Sequence, residues 1–433
     1  MQRLNFSDFG KKLTENSGIL QLMDDLGQPL PPGHSFQLGG GNPARIPELD
    51  EMYQSEMAKI MAADDSFGQL IGRYDAPGGR VSFLDDIASC LSGKYGWNIT
   101  SENIAVTNGS QTAMFYLFNL FGGTSTENGV AEKKTVVFPL VPEYIGYADQ
   151  GIEKDMFVGI PALFEIFDDH TFKYSVDFLV LEKYLAEHDN VGALCVTRPT
   201  NPTGNVLTDD EILHLSKLAV RYDIPLIIDN AYGLPWPDII FTDSAGPFFS
   251  ENVILSMSMS KIGLPSMRTG IIIAQKEIAK AVSNINAIIS LTTASAGQAI
   301  ASSLIRSGKL LDCAKNIVRP FYEKRSKDAQ TWIHKYFAGT NYAVHKSEGS
   351  IFLWLLLFDL KIPTKELYCQ LKKCGVIVVP GEYFFFGDAS DGSFPPVKDH
   401  PHYDKCLRLN YSRPAEETEE GIRIISEVYR KYC

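Results

Sequence analysis

The sequence predicts an α/β fold, with a large domain built on a mostly parallel sheet between helices and a smaller α+β domain. Short apolar runs alternate with longer helical patterns across residues 63–309. These runs are apolar throughout, which is typical of strands that are buried on both faces of a parallel sheet. After residue 310 the pattern changes to a long amphipathic stretch followed by mixed strands and helices. The 433 residues are enough for both domains.

The individual elements follow from the same patterns. The large domain has predicted strands, rich in Val and Ile, at 103–107, 134–139, 192–197, 224–229, 252–258 and 270–274. Its predicted helices include 110–121 and 209–223, the second with Thr208 as a candidate N-cap. The smaller domain has a helical stretch at 310–336, strands at 343–345, 351–356, 376–380 and 406–411, and helices at 364–373 and 415–431.

The first 62 residues contain helical patterns, including one over about 7–26, but too few apolar positions for a core of their own. They are expected to join the C-terminal part. The predicted domains are therefore 63–309 for the large one, and 1–62 together with 310–433 for the small one. An irregular segment at 387–404 is rich in Gly, Pro and Asp and is predicted to be a long loop.

Composition excludes several classes of function. The net charge of -12 and the pI near 5.2 argue against nucleic acid as a partner. The seven cysteines form no C-x-x-C pair and the eight histidines do not cluster, so we expect reduced thiols and no metal site. The longest apolar run, 351–358, is far shorter than the about 20 residues of a membrane span. We expect a soluble, cytoplasmic protein without a membrane partner.

Four polar stretches lie where predicted strands end or just beyond them. They are TNGSQ (107–111), RPTNPTGN (198–205), IDNAYG (228–233) and SMSMSKIGLPSMRTG (256–270). Ligands of open parallel sheets bind at the carboxyl ends of the strands. If these strands are neighbours, the four loops form one pocket.

One end of that pocket suits a phosphate group. The backbone N–H groups at the predicted helix start bind anions, and serine hydroxyls and a guanidinium add further donors. The candidate phosphate-binding residues are Gly109, Ser110, Gln111, Ser258, Ser260 and Arg268. The same TNGS sequence is also a common helix-capping turn, so this stretch alone does not settle the matter.

The rest of the pocket suits an aromatic aldehyde with a basic ring nitrogen. Asp229 ends an apolar strand and needs a cation or donor there, although it could also cap a helix. Tyr232 and Asn201 could donate to a ring oxygen, and Lys261 is a candidate nucleophile toward an aldehyde. Phosphate, ring nitrogen, ring oxygen and aldehyde together describe pyridoxal 5′-phosphate (PLP). Taken singly, Lys261 could be a solvated lysine and Asn-Pro-Thr-Gly a simple turn.

The order NGS…NPTGN…DNAYG…SxSKxGLxxxR resembles the fold type I PLP-dependent aminotransferases of class I/II, over nearly the whole chain. The resemblance implies an aspartate aminotransferase-like fold with a seven-stranded large sheet. It also implies ping-pong transfer of an amino group between an amino acid and a 2-oxo acid. Lys261 would hold PLP as a Schiff base and then carry the substrate Cα proton. Asp229 would pair with the pyridine nitrogen, and Tyr232 and Asn201 with the phenolic oxygen.

The same resemblance implies roles for four further residues. Tyr144 would lie over the cofactor ring, although it could be an ordinary packed tyrosine. Tyr74, in RYDAPGG, would reach the phosphate from a partner subunit, so the site would need a homodimer. Arg408, in CLRLNY, would bind the substrate α-carboxylate, unless it faces solvent, and Gly41 would approach the same substrate. The spacing of seven residues from Lys261 to Arg268 departs from relatives that have eight.

The substrate side chain is expected to be apolar. Relatives specific for dicarboxylates carry a second arginine in the region that matches 286–297, and this window has none. It contains Ile288, Ile289 and Leu291 instead. Two alternatives stay open: another PLP reaction on the same fold, such as a β-lyase, a decarboxylase or an aminotransferase for a different small apolar amino acid, and a PLP-binding regulatory module.

Overall fold

The structure is a computed structural model that describes residues 5–15, 17–27, 35–64, 66–127 and 129–433. The remaining positions of the predicted domain ranges 1–62 and 63–309 lie outside the described residues.

The secondary structure alternates over most of the chain. The strands are β1 (Phe36–Gln37), β2 (Ile104–Thr107), β3 (Gly123–Glu127), β4 (Val130–Val141), β5 (Phe157–Pro161), β6 (Leu163–Ile166), β7 (Thr171–Ser175), β8 (Val191–Thr197), β9 (Leu226–Asp229), β10 (Val253–Ser258), β11 (Gly270–Ile273), β12 (Tyr342–His345), β13 (Phe352–Leu357), β14 (Val376–Ile377), β15 (Val379–Pro380) and β16 (Cys406–Asn410). The α-helices are α1 (Asp8–Thr14), α2 (Gly18–Gly27), α3 (Pro47–Ala62), α4 (Ser66–Gly72), α5 (Val81–Tyr95), α6 (Ser110–Phe121), α7 (Phe178–Glu187), α8 (Asp209–Arg221), α9 (Lys276–Ile289), α10 (Ser295–Arg306), α11 (Lys309–Cys313), α12 (Arg319–Phe337), α13 (Thr364–Lys373) and α14 (Ala415–Tyr429).

The large sheet has eight strands in the order β2–β11–β10–β9–β8–β4–β3, and β5 pairs with the second half of β4. β11 is antiparallel to both of its neighbours, whereas β4, β5, β8, β9 and β10 pair in parallel. The predicted apolar strands are all present. The sheet has eight strands where the resemblance implied seven, and β3 and β5 were not among the six strands predicted individually. β3 has the sequence GTSTE, which lacks an apolar run, and forms a hairpin with the start of β4.

The second sheet has six strands in the order β15–β16–β13–β12–β7–β6. Its strands β12, β13, β15 and β16 match the predictions for the smaller domain. The hairpin β6–β7 was not anticipated, because it lies within 163–175, inside the range assigned to the large domain, yet pairs with β12. The division at 63–309 itself stays a prediction.

The N-terminal segment contacts both parts of the molecule. β1 pairs with β14, and the buried Asp25 of α2 accepts hydrogen bonds from Tyr368 and Lys372 of α13. The assignment of residues 1–62 to the smaller domain stays a prediction. Helix α3 packs beside α10, and Tyr53 of α3 donates to the carbonyl of Ile262. Helix α3 therefore also supports the loop that follows β10.

Local signals identified one helix start correctly. The Thr208 hydroxyl accepts from the backbone N–H of Glu211, whose side chain in turn accepts from Thr208, so the capping box at α8 is confirmed. Within the described part of the chain, no helix is both long and apolar enough to cross a membrane. Across the same residues, His, Cys, Asp and Glu form no group of three that could hold a metal ion.

Candidate active site

The predicted pocket forms at the carboxyl ends of β8, β9 and β10, beside the first turn of α6. The strand register places Thr197 of β8 and Ser256 of β10 on either side of Asp229 at the end of β9. The loops after these strands carry Asn201 and Lys261. Sheet topology thus brings together residues that are far apart in the sequence.

Lys261 is held close to the glycine-rich segment that follows β1. Its Nζ donates to the carbonyl of Gly41 at 2.5 Å and lies 5.4 Å from the centre of the Tyr232 ring. Burial of the amine, with smaller contributions from Arg408 and Arg268, lowers the pKa of Lys261 to about 8. A lysine with this pKa is partly neutral near physiological pH and can act as a nucleophile or a base.

Asp229 is a buried carboxylate whose two oxygens each accept one hydrogen bond. Oδ1 accepts from the backbone N–H of Ala231 at 3.0 Å, and Oδ2 accepts from the hydroxyl of Tyr147 at 2.5 Å. Burial raises the pKa of Asp229 despite these two hydrogen bonds and the positive charge of Lys261. A cationic ring nitrogen next to this carboxylate would offset the cost of burial.

The start of α6 and Arg268 form an anion-binding corner. Gly109, the N-cap of α6, has φ +89°, and a Cβ there would overlap the Arg268 guanidinium. Arg268 itself has φ +47° and donates to the carbonyl of Asn108 at 3.3 Å. The first N–H groups of a helix have no intrahelical acceptor. Together with the guanidinium they fit a phosphate.

The polar side chains around this corner differ in what they face. The Ser110 hydroxyl donates to the carbonyl of Met257, and the Gln111 amide donates to the carbonyl of Gly146. These two residues can therefore serve an anion mainly through their backbone N–H groups. The Ser258 hydroxyl accepts from the backbone N–H of Ser260, which fixes the turn after β10.

Arg408 is buried in β16, and its guanidinium is the clearest candidate for binding a carboxylate. Nη1 donates to Asn201 Oδ1 at 2.8 Å, and Nη2 donates to the carbonyl of Gly39 at 2.5 Å. Its Cζ lies 4.1 Å from the centre of the Phe352 ring. Nε is buried and has no hydrogen-bond partner among the described residues. Burial lowers the pKa of Arg408 to about 10, so the residue stays charged at neutral pH.

Asn410 and Ser412, at the end of β16 and just beyond it, anchor the glycine-rich segment that carries Gly41. Asn410 Nδ2 donates to the carbonyl of Gly40 at 2.5 Å, and the Ser412 hydroxyl donates to the carbonyl of Asn42 at 2.7 Å. Sequence reasoning did not identify either residue. These bonds position the backbone of Gly41 between Arg408 and Lys261.

Tyr74 lies apart from this pocket in the single chain. Its side chain is 83% exposed in the turn after α4. The apolar residues of the 286–297 window are also at the surface, because Ile288, Ile289 and Leu291 are all more than half exposed. The single chain therefore brings neither group to the pocket.

The turn after β4 contributes a tyrosine that sequence reasoning missed. The ring of Tyr144 packs edge-on against Tyr147, with ring centres 5.0 Å apart. Tyr147, not Tyr144, donates to Asp229. Two tyrosines three residues apart after a predicted strand were a possible signal, but only the fold shows which one meets the carboxylate.

The arrangement fits PLP in its chemistry. The anion-binding corner would take the phosphate and Asp229 the ring nitrogen, while Lys261 is an amine for the aldehyde. The orphaned Nε of Arg408 remains for the carboxylate of a substrate. The buried donors and charges of the pocket are thus those that an amino acid and PLP would satisfy.

Comparisons with known proteins agree with this geometry. A model of the family described as aminotransferase class I and II matches residues 51–425. The chain is 44% identical over 424 residues to the valine–pyruvate aminotransferase of Escherichia coli (strain K12), covering 98% of each chain.

Two solved structures are similar along nearly their whole length. One is a putative amino-acid aminotransferase from Psychrobacter arcticum 273-4, with 42% identity, 99% of each chain covered and a TM-score of 0.94. The other is the valine-pyruvate aminotransferase AvtA from Salmonella typhimurium LT2, with 42% identity, 96% of this chain and 99% of that chain covered, and a TM-score of 0.84. The predicted fold class and cofactor are confirmed. The chain belongs to the class I and II aminotransferase family and is a PLP-dependent aminotransferase of the aspartate aminotransferase-like fold.

Proposed function

We propose that this enzyme transfers the amino group between L-valine and pyruvate, giving 3-methyl-2-oxobutanoate and L-alanine. The full-length similarity to proteins named valine–pyruvate aminotransferase supports the choice of substrates. So do the strings LGGGNPARIPE, TNGSQTAMFYLFNLFGG, PEYIGYAD, RPTNPTGNV, IDNAYGLPWP, SKIGLP and GSIFLWL, which resemble the same enzyme.

One observation carries the proposal. The segment Gly39–Gly41 accepts a hydrogen bond from Arg408 at its first residue and from Lys261 at its third. A candidate carboxylate-binding group and a candidate base therefore lie two residues apart along one backbone segment. An α-amino acid carries its carboxylate on the reacting Cα, so one substrate needs both of these groups near each other. The pocket can hold the first and act on the second.

The residues have separate roles in the proposed reaction. Arg408 binds the α-carboxylate and Asn201 holds the guanidinium in place. PLP, when bound, supplies an electron sink that makes the Cα–H bond acidic. As a neutral amine, Lys261 would take the proton from Cα and deliver it to the aldehyde-derived carbon of the cofactor, which its pKa of about 8 permits. Asp229 keeps the ring nitrogen protonated.

The remaining cofactor contacts complete the proposed site. Tyr144 would lie over the cofactor ring, and Tyr232 and Asn201 would donate to its phenolic oxygen. The residues that would hold the phosphate are Gly109, Ser110, Gln111, Ser258, Ser260 and Arg268.

We further propose a cytoplasmic homodimer with shared active sites. The exposure of Tyr74 and of the apolar residues Ile288, Ile289 and Leu291 supports this, because a second copy would bury them. Tyr74 would then reach the partner's phosphate site. A chain of 48.1 kDa should accordingly elute with about twice that mass in light scattering. A monomer at micromolar concentration with full activity would refute the shared site.

Product analysis tests the reaction directly. Purified protein loaded with PLP is incubated with isotope-labelled valine and pyruvate, and the products are identified by mass spectrometry. We expect alanine and 3-methyl-2-oxobutanoate in equal amounts, and neither with Lys261→Ala. Release of ammonia or CO₂ from valine would instead favour a lyase or a decarboxylase. No turnover of valine by PLP-loaded protein would reject the proposed substrate.

A further inference from the structure

The hydroxyl groups of Tyr147 and Thr197 lie next to each other between the buried carboxyl groups of Asp229 and Glu143. The Tyr147 hydroxyl donates to Asp229 Oδ2 at 2.5 Å, and the Thr197 hydroxyl donates to Glu143 Oε1 at 2.7 Å. The two hydroxyl oxygens are 3.4 Å apart. Because each hydroxyl has a single proton, this contact becomes a hydrogen bond only when one of the two hydroxyls turns away from its carboxyl group. All four side chains are almost completely buried. Glu143 and Asp229 thus lie at the two ends of one line of polar contacts, Glu143–Thr197–Tyr147–Asp229.

Glu143 has no part in the chemistry described above, yet it is fully engaged. Its carboxyl group also accepts from the backbone N–H groups of Tyr144 at 2.7 Å and Thr197 at 3.1 Å. It therefore ties the turn after β4 to the end of β8. The strand register places Thr197 directly beside Asp229.

The charged and titratable groups that face Glu143 are few. They are Asp229 after β9, Cys195 in β8, and Tyr144 and Tyr147 in its own turn, while the cations Lys261 and Arg408 act on Asp229 and Tyr144. Burial raises the pKa of Glu143 to about 8, even though its three donors favour the carboxylate. Burial also raises the pKa of Cys195 and Tyr147 well above their usual values, so both stay neutral. Glu143 is therefore a carboxyl group that changes charge near neutral pH.

The two protonation states of Glu143 require different hydrogen-bond directions. When Glu143 is ionised, the Thr197 hydroxyl donates to it, as the distances indicate. When Glu143 is protonated, its own O–H donates to Thr197, and the Thr197 hydroxyl is free to turn toward Tyr147. Tyr147 then accepts a hydrogen bond while donating to Asp229, and such chained hydrogen bonds strengthen one another.

We propose that Glu143 is a positioning residue that acts through the hydroxyls of Thr197 and Tyr147 to control how strongly Asp229 holds the ring nitrogen of PLP. This inference rests on the proposed placement of that nitrogen at Asp229. When Glu143 is protonated, the strengthened hydrogen bond from Tyr147 offsets part of the negative charge on Asp229. Asp229 then binds the ring nitrogen less strongly. Ionised Glu143 leaves Asp229 with its full charge and adds a second negative charge nearby.

Two variants separate the effect of the Thr197–Tyr147 relay on Asp229 from the effect of the charge of Glu143. Glu143→Gln keeps the shape of the side chain but cannot ionise. Thr197→Val keeps the carboxyl group and both of its backbone donors but removes the link to Tyr147. Thr364→Val is the matched control, because the buried Thr364 hydroxyl donates to the buried Glu382 at 2.6 Å, away from the pocket.

The readouts are the visible absorbance of bound PLP as a function of pH and the dissociation constant of PLP between pH 6 and 9. In the wild type and in Thr364→Val, we expect the dissociation constant to fall as Glu143 ionises. We expect that change to be lost in Glu143→Gln, and to be smaller in Thr197→Val, where only the charge of Glu143 still acts. In both variants the midpoint of the absorbance titration should move by about half a pH unit or more.

Three results would overturn the inference. If the absorbance of PLP bound to Thr197→Val titrates with pH like that of the wild type, the hydrogen-bond relay does not exist. This conclusion holds even if the titration of Glu143→Gln is shifted, because loss of the Glu143 charge alone would explain that shift. If both variants match the wild type, Glu143 has no influence on Asp229. If the wild type binds PLP without any visible band, the proposed placement of the PLP ring at Asp229 is wrong, and the proposed relay is then wrong as well. Should Glu143→Gln fail to fold, Thr197→Val decides the question alone.

Discussion

The role of Arg408 can be tested by replacing it with lysine, which keeps the charge but removes the planar fork. In Arg408, Nη1 donates to Asn201 Oδ1 and Nη2 donates to the carbonyl of Gly39, whereas Nε has no partner among the described residues. A lysine ammonium at this place is a single point charge and cannot bind a carboxylate at two positions while keeping both protein contacts. Arg408→Lys therefore removes about one charge-assisted hydrogen bond to the substrate.

The size of the effect follows from that loss. A hydrogen bond to a charged group contributes about 1.5–3 kcal/mol, so kcat/KM for valine should fall about 10- to 100-fold. The loss should appear with pyruvate as well, because both substrates carry a carboxylate next to the reacting carbon. PLP binding and its visible absorbance should be unchanged, since Arg408 is proposed to contact the substrate and not the cofactor.

The assay is single-turnover kinetics of each half-reaction, followed by the change in visible absorbance. Arg430→Lys is the control, because Arg430 donates to two backbone carbonyls, those of Tyr336 and Ala338, at the protein surface. Wild-type kcat/KM in Arg408→Lys, for both valine and pyruvate, would refute the carboxylate-binding role.

Three further predictions follow from the same geometry. Gly109→Ala should weaken PLP binding at least about tenfold, because the added methyl group overlaps the Arg268 guanidinium. Gly308→Ala is the control, since Gly308 has a similar positive φ but open space around it, and its PLP affinity should be unchanged. Equal PLP affinities of the two variants would contradict the anion-binding corner. Lys261 reacts with PLP as a free base, so the rate of covalent attachment to the apoenzyme should rise with pH and level off above about 8; a rate independent of pH between 6 and 9 would contradict this. Burial lowers the pKa of both His345 and His402 to about 3, below the unfolded value of about 6.5. The folded state therefore binds fewer protons, and the free energy of unfolding should fall as pH drops from 6.5 toward 3, by up to about 1.4 kcal/mol per pH unit for each histidine. Chemical denaturation at several pH values, with His402→Gln showing a smaller slope, checks this, and an unchanged slope in that variant would contradict it.

The sequence predicted the large sheet well because its strands are apolar on both faces and its helices are amphipathic. β3 was missed because GTSTE contains no apolar run and is stabilised by its hairpin partner. The hairpin β6–β7 was not predicted, and its partner in the second sheet, β12, is distant in the chain. Nothing in the local pattern of Leu163–Ser175 records that pairing.

The candidate site was predictable where chemistry and position coincide. Lys261, Asp229 and Arg408 are charged residues next to or inside apolar strands, and burial of each one demands a partner. Tyr147 and Glu143 could not be found in this way, because their importance depends on the register between neighbouring strands. The role proposed for Tyr74 requires a second chain, which a single sequence does not reveal.

Transfer of the amino group from valine to pyruvate through PLP bound at Lys261 can be followed in the visible spectrum of the PLP-loaded protein during one complete cycle. We expect a band from the cofactor bound to Lys261 that bleaches when valine is added and returns when pyruvate is added, with neither change in Lys261→Ala. A band that persists with excess valine would contradict the proposed substrate. Bleaching that pyruvate fails to reverse would contradict transfer of the amino group between the two.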